Sequence, residues 1–304
     1  MMKSQLITLL EVVRQGSFIN AAKKLSMAQP TVSYQIRQLE DEYGIRIFHR
    51  LQRNMHLTEE GKILVQYARR MEVLELRLRQ EIQDSLDHMK HLFMGMTPGC
   101  METPAEQMIS VFCRRHPEIS IRMTTGSLQD ITGKTDICEL DMILTDMPVC
   151  MKHLRKVLLG TDDLCVIMSS GHASAFRQSM SLADLKNERL ILRSEEAGSR
   201  KILESVLQNH GEDIRDFDVM LEMDSLSGIR ELVLADLGVT VMAKSAFREE
   251  LASGKMLAVG IRGMRMTREV SLFFHEDFHS PEWVEELRML YRTPESVIHP
   301  FSPA

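Results

Sequence analysis

The sequence predicts an α+β head, one long connecting helix and a larger α/β body. Three features carry that reading. Apolar residues from Leu6 to Leu39 recur at helical spacing, broken by short turns at Gly16 and at Ser26-Met27-Ala28. One unbroken amphipathic pattern then runs from Thr58 to about Lys90. From His91 onward short apolar strands alternate with helices. At 304 residues the chain exceeds one typical core and suits two or three domains of roughly 100–200 residues.

In the head, Leu6, Ile7, Leu9, Leu10, Val12 and Val13 mark a first helix that Gly16 stops. Ser17 is placed to cap a second helix carrying Phe18, Ala21, Ala22 and Leu25, with the alanines allowing close helix packing. Pro30 suits the first turn of a third helix, in which Val32, Ile36 and Leu39 form one buried stripe before Gly44. Ile45–Phe48 and Met55–Leu57 then read as two short strands around the polar loop 50–54. Thr58-Glu59-Glu60-Gly61 gives an N-cap with acids in the first turn, opening the long helix. Leu64, Met71, Leu78 and Ser85 trace a heptad line on it, thickened by Ile63, Leu74, Leu76, Ile82 and Leu86. A solitary helix of that length is marginal in water, so a partner helix is expected.

In the body the expected strands are Leu92–Met96, Ile119–Thr124, Asp141–Thr145, Leu164–Met168, Leu190–Arg193, Val219–Glu222, Val239–Met242 and Val270–Phe274. Helical patterns cover Glu106–Arg115, Ser199–Asn209, Ser225–Asp236 and Pro281–Tyr291. Such alternation implies parallel sheets covered by helices. The last stretch, 293–304, holds three prolines and reads as loose.

Apolar content of 44% with 26% charged residues supports buried cores and excludes a disordered chain. The net charge is −6, yet residues 1–58 carry +4, leaving −10 for the rest. A basic head on an acidic body suits one module that seeks a polyanion. Cys100, Cys113, Cys138, Cys150 and Cys165 show no paired spacing, which argues against a disulfide framework and fits a reducing cytoplasm. The eleven histidines show no metal-ligand spacing, so no metal or cofactor is expected; His275, Asp277 and His279 read as a solvated loop. Asp162-Asp163 and Glu249-Glu250 read as solvated surface, and the methionines as adaptable core filler. The start of the chain does not read as a signal peptide, and no apolar run approaches the ~18 residues a membrane span needs.

The third helix has a second face: Thr31, Ser33, Tyr34, Gln35, Arg37 and Gln38, short or planar hydrogen-bonding groups in place of an ordinary Glu/Lys mix, with Gln29 and Pro30 at its start as further candidates for DNA contact. Three short helices, a tight second turn and a two-stranded ribbon describe a winged helix-turn-helix, whose recognition helix needs such groups for base edges and phosphates. His49, Arg50 and Arg53 fall where a wing tip would meet the backbone of double-stranded DNA.

This stretch resembles the N-terminal domain of LysR-type transcriptional regulators. The resemblance rests on Gly16-Ser17-Phe18, Ala21-Ala22 with Leu25, Gln29-Pro30 with Ser33, Gln35-Ile36 with Leu39-Glu40, Gly44 with Phe48-His49-Arg50, and Leu57-Thr58-Glu59-Glu60-Gly61. The order of elements extends it to nearly the whole chain. Ala28 stands where many members carry Ser or Thr, and Tyr34 where Arg is frequent, departures that bear on which operator is read.

The resemblance implies a winged helix-turn-helix over 1–58, a linker and dimerisation helix over 59–90, and an effector-binding domain over 91–304. That domain would comprise two doubly wound α/β subdomains similar to periplasmic binding proteins, 91–160 with 269–304, and 161–268. It further implies a homo-oligomer built as a dimer of dimers, reading a promoter with inverted half-sites. A small polar or anionic effector would sit in the C-terminal cleft.

Ligands of doubly wound sheets bind beyond the carboxyl ends of strands, at helix N-termini. Here that selects Thr97, Gly99 and Cys100, then Ser127, then Thr145, then Ser199 and Arg200. The segment Glu196-Ala197-Gly198-Ser199-Arg200 resembles an anion-gripping loop of some family members. Glu195, Glu196 and the missing oxygen at Ala197 leave room for a ligand with an amine or polar group. Two other readings stay open: a ligand-independent architectural DNA-binding protein, and a cytosolic α/β enzyme, for which no nucleophile–base–acid set is visible.

Overall fold

The computed structural model describes residues 2–49, 55–87 and 89–292, which divide into two compact units. The first is built on α1 (Ser4–Gln15), α2 (Phe18–Lys24), α3 (Gln29–Tyr43) and α4 (Glu59–Asp87). Gly16 and Gly44 end α1 and α3 with φ of 61° and 64°, a backbone that side chains with a Cβ rarely adopt. Ser17 Oγ accepts the Asn20 amide and starts α2. Ala28 gives α3 no side-chain cap, so Pro30 fixes its first turn. Ile36 and Leu39 pack with Leu6, Leu9 and Leu10 of α1, while Ala21 and Ala22 close on Val12 and Val32.

Among the described residues the expected ribbon shows one antiparallel bridge, Phe48 with Leu57, beside a His49 N–H donating to the His56 carbonyl at 3.0 Å. The Ile47 amide donates instead to Glu40 Oε1 at 2.9 Å, which takes a donor away from a longer ladder. Arg50 and Arg53 lie outside the described residues, as does 293–304. Helix α4 stops at Asp87, short of Lys90, because Lys90 begins a strand. Val65 and Ala68 bury it against α1, and Met2 N–H donates to Glu75 Oε2 at 2.9 Å.

The second unit, which takes in 92–132 and 140–304, begins with β1 (Lys90–Met96, its first two residues grouped with the first unit), α5 (Ala105–Arg115), β2 (Ile119–Thr125), α6 (Leu128–Asp136, of which 133–136 group with the first unit), β3 (Met142–Thr145), β4 (Leu154–Ser169) and β5 (Ser179–Met180). It continues with α7 (Leu182–Lys186), β6 (Arg189–Leu192), α8 (Gly198–Asn209), β7 (Asp218–Glu222), α9 (Leu226–Leu234) and β8 (Thr240–Ala243). It ends with α10 (Arg248–Ala252), β9 (Met256–Ile261), β10 (Thr267–His275) and α11 (Pro281–Arg292). The pairs β1–β3, β6–β7 and β5–β9 are parallel. Strand β10 runs antiparallel between β3 and β4, and β4 runs antiparallel to β8 and β9.

The sheets are therefore mixed where alternation alone implied parallel ones. The cause is the chain's path: β4 carries it out of the first half, β10 brings it back, and the two are neighbours, with Gly160 opposite Val270 and Thr161 opposite Glu269. One core gathers Leu92, Met94, Phe112, Leu272, Trp283 and Leu287. A second gathers Val166, Leu190, Leu192, Leu203, Val239 and Val241.

At the rim of the first core, His116 Nε2 lies 2.7 Å from Glu286 Oε2, joining α5 to α11. That hydrogen bond, aided by Glu118, holds the His116 imidazole above its ordinary value. A raised folded value means stability that is present below the unfolded pKa of about 6.5 and is lost as pH rises through the folded one. Glu286→Gln is expected to flatten the pH dependence of thermal stability just above pH 6.5; an unchanged slope would remove this pair from the account.

Candidate functional site

Two sites follow from this framework, each built within one unit. The first is the outer face of α3. With Val32, Ile36 and Leu39 turned inward, Gln29, Pro30, Thr31, Tyr34 and Arg37 are left exposed, Tyr34 at 61%. Gln29 Nε2 donates to Ser33 Oγ at 3.0 Å, and Gln38 Nε2 to Tyr34 Oη at 3.2 Å, so two of these side chains are held ready on the surface. Arg37 makes no hydrogen bond or ion pair among the described residues. Gln35 departs from expectation: its Oε1 accepts a bond from Thr8 Oγ1 of α1, and Thr8 is buried. Through Oε1 it ties α3 to α1, and the residue is half-buried.

The second site is where strand ends converge in the larger unit. Thr97, at the end of β1, precedes a 3-10 turn, Pro98–Glu102. Thr97 is buried, and its Oγ1 lies 3.0 Å from Asp146 Oδ1 and 3.3 Å from Thr145 Oγ1, at the end of β3. An ideal Cβ on Gly99 would fall 2.2 Å from Asp146 Oδ2, and one on Gly198, the first residue of α8, would fall 3.1 Å from it. Thr97, Gly99, Thr145 and the α8 N-terminus thus meet around the Asp146 carboxylate. Ser199 is buried one residue further on.

Three expected members differ. Cys100 is fully buried in the first core, with its thiol behind Thr97, and offers no side chain to a ligand. Ser127 is exposed and caps α6, its Oγ accepting the Asp130 amide at 3.2 Å. Arg200 is buried and already paired, Nε with Glu204 at 2.5 Å and Nη2 with Glu222 at 2.9 Å.

Arg268, Asp146 and Ser245, which the sequence did not single out, complete the site together with Asp162. Arg268 of β10, its side chain 1% exposed, donates through Nη1 to Asp146 Oδ2 at 3.0 Å and to the Gly99 carbonyl at 3.1 Å. Its Nη2 reaches Asp162 Oδ2 at 3.2 Å and Ser245 Oγ at 3.5 Å. Asp162 is only 13% exposed and Glu250 is equally covered beside Arg230, so neither is the solvated surface expected of it. Close by, burial pushes the Tyr291 hydroxyl up to about 12, against a hydrogen bond to Thr103 that lowers it, so it remains a neutral phenol.

Comparison with known proteins places each part of the chain in a family. Residues 4–62 match the family described as bacterial regulatory helix-turn-helix protein, lysR family, and residues 87–293 match the LysR substrate binding domain. A probable RuBisCO transcriptional regulator of Emiliania huxleyi is 30% identical over 279 residues, covering 89% of this chain and 88% of that protein. A full-length OxyR variant from Pseudomonas aeruginosa shares the fold with a TM-score of 0.63 at 22% identity, covering 97% of this chain and 96% of its own. Full-length CbnR complexed with its target DNA does so with a TM-score of 0.65 at 18% identity, covering 95% and 100%. No helix among the described residues is long and apolar enough to cross a membrane. An exposed polar face on α3 and a convergence of strand ends are thus joined in a chain that matches both of these domain families, and the chain belongs to the LysR family of transcriptional regulators.

Proposed function

We propose that this regulator reads a promoter with inverted half-sites through α3, placing Gln29, Pro30, Thr31, Ser33, Tyr34 and Arg37 in the major groove, with Arg50 and Arg53 on the flanking phosphates. Its promoter occupancy would be set by a small polar or anionic effector among Thr97, Gly99, Thr145 and Ser199, at the start of α8. It acts in the cytoplasm, by binding and not by turnover, as a dimer of dimers. The domain limits that go with this role are 1–58, 59–90 and 91–304. The observation that carries it is the two-sided α3, apolar inside and hydrogen-bonding outside, with Arg37 unengaged among the described residues.

Pairing through α4 is supported by its exposed apolar stripe, Ile63, Tyr67, Met71, Leu74, Leu78 and Ile82, spaced three or four residues apart. A groove of about 380 Å³ opens beside it between Leu6, Tyr43 and Met71, sized for side chains of a second copy. Two-fold pairing of heads requires two-fold DNA sites.

The test is fluorescence anisotropy with the chain's own upstream promoter against scrambled duplex. Arg37→Ala is expected to weaken promoter binding roughly tenfold to a hundredfold, the cost of losing one base or phosphate contact. Equal affinity for promoter and scrambled duplex would refute the reading.

A further inference from the structure

The strand-end site is arranged to hold an acid, yet it already holds one. The loop after β1, the loop after β3 and the start of α8 converge on the Asp146 carboxylate, which is 2% exposed. Oδ1 accepts from Thr97, Oδ2 accepts from Arg268, and Oδ2 lies so close to Gly99 that no side chain fits there. Helix starts and buried guanidinium groups are what a protein ordinarily offers to a bound carboxylate. Here the second cation of the site, Arg200, is taken as well, by Glu204 and Glu222. An incoming anion would find Arg268 engaged by Asp146 and the Nε and Nη2 of Arg200 engaged by glutamates, and would meet two further acids, Glu195 and Glu196, on the approach to α8.

We propose that the Asp146 carboxylate is a resident anion, filling the seat in which this cleft would otherwise hold an acidic group, so that the effector is neutral or cation-bearing. The proposal rests on the reading of this cleft as the effector site and narrows the class of molecule it accepts. Asp146 acts as a specificity-determining residue: it excludes carboxylates from Arg268 by being one. Donors on the effector remain welcome, because Glu195, Glu196 and Glu222 border the same loops.

The test is anion rescue in the full chain, read as the melting temperature of the C-terminal unit. Asp146→Ala is expected to lower it by roughly 10 °C in chloride. About 50 mM formate is expected to restore at least half of that loss by occupying the vacated seat. The wild-type midpoint should move no more in formate than in equal chloride, and Asp146→Ala with Arg268→Met should lose the response. Formate stabilising the wild type as much as the variant would overturn the proposal, as would a folded variant that formate does not restore. Should Asp146→Ala not fold in chloride, Asp146→Ser and the yield on refolding into formate against chloride give the same contrast. Rescue needs no effector, so it can succeed where an effector screen fails. Stabilisation of the wild type by an acidic compound and not by its amide would sink the resident anion while the effector site stands.

Discussion

Arg268→Met is expected to destabilise the C-terminal unit by about 3–5 kcal/mol, lowering its melting temperature by roughly 10 °C. The residue crosses from β10 into the junction of both halves, and its guanidinium touches groups from the loop after β1, the loop after β3, β4 and Ser245. Methionine keeps much of the volume and removes the charge. Asp146 then stays buried without its cation, and burying an uncompensated charge costs far more than a well-made pair contributes. The same logic predicts the remedy. Adding Asp146→Asn and Asp162→Asn to Arg268→Met should recover a substantial part of the loss, because the orphaned charges go with the cation. A loss under about 1 kcal/mol for the single substitution would show these carboxylates to be hydrated, against their burial here.

That cluster marks the boundary of what the sequence discloses. The first three helices are legible because their signals are local: apolar spacing, the Ser17 cap, Pro30 in the first turn, glycines at Gly16 and Gly44. The outer face of α3 is legible from residue types for the same reason. Gln35 is the exception, since its partner Thr8 lies 27 positions earlier and only packing reveals it. The first part of β4 was missed because exposed Arg155 and Lys156 interrupt its apolar pattern, and β5, two residues long, has no pattern to show. Arg268 and Asp146 are 122 positions apart, and Asp162 is 106 from its partner; side by side, Asp162 and Asp163 read as solvated acids. The general location of the site, at strand ends, follows from topology, whereas its charge state depends on long-range pairing that composition does not encode.

Gly61→Ala is expected to cost about 3 kcal/mol in the N-terminal unit and to lower promoter affinity along with it. Glycine inside a helix is ordinarily a weakness, and alanine in its place commonly gains about 0.5–1 kcal/mol. Gly133, in α6 with open space around it, should behave that way and serves as the control. At Gly61 the added Cβ would fall 2.3 Å from the Ile47 carbonyl oxygen and 3.0 Å from its carbon. These are backbone atoms, so no rotamer relieves the clash, and either α4 or the Ile47 segment must move. Both are committed. The Ile47 carbonyl accepts the Thr58 amide at 3.0 Å, and Thr58 Oγ1 accepts the Gly61 amide at 2.9 Å, capping α4. The Ile47 amide in turn is held by Glu40 of α3. A methyl at Gly61 therefore loosens the start of the long helix and, through Ile47 and Glu40, the end of the helix whose outer face we assign to DNA. Melting of the N-terminal unit and anisotropy on promoter DNA should fall together in Gly61→Ala, and neither should fall in Gly133→Ala. Lost affinity with unchanged melting would mean that Gly61 itself lies against the duplex and that the coupling through Ile47 is not the cause.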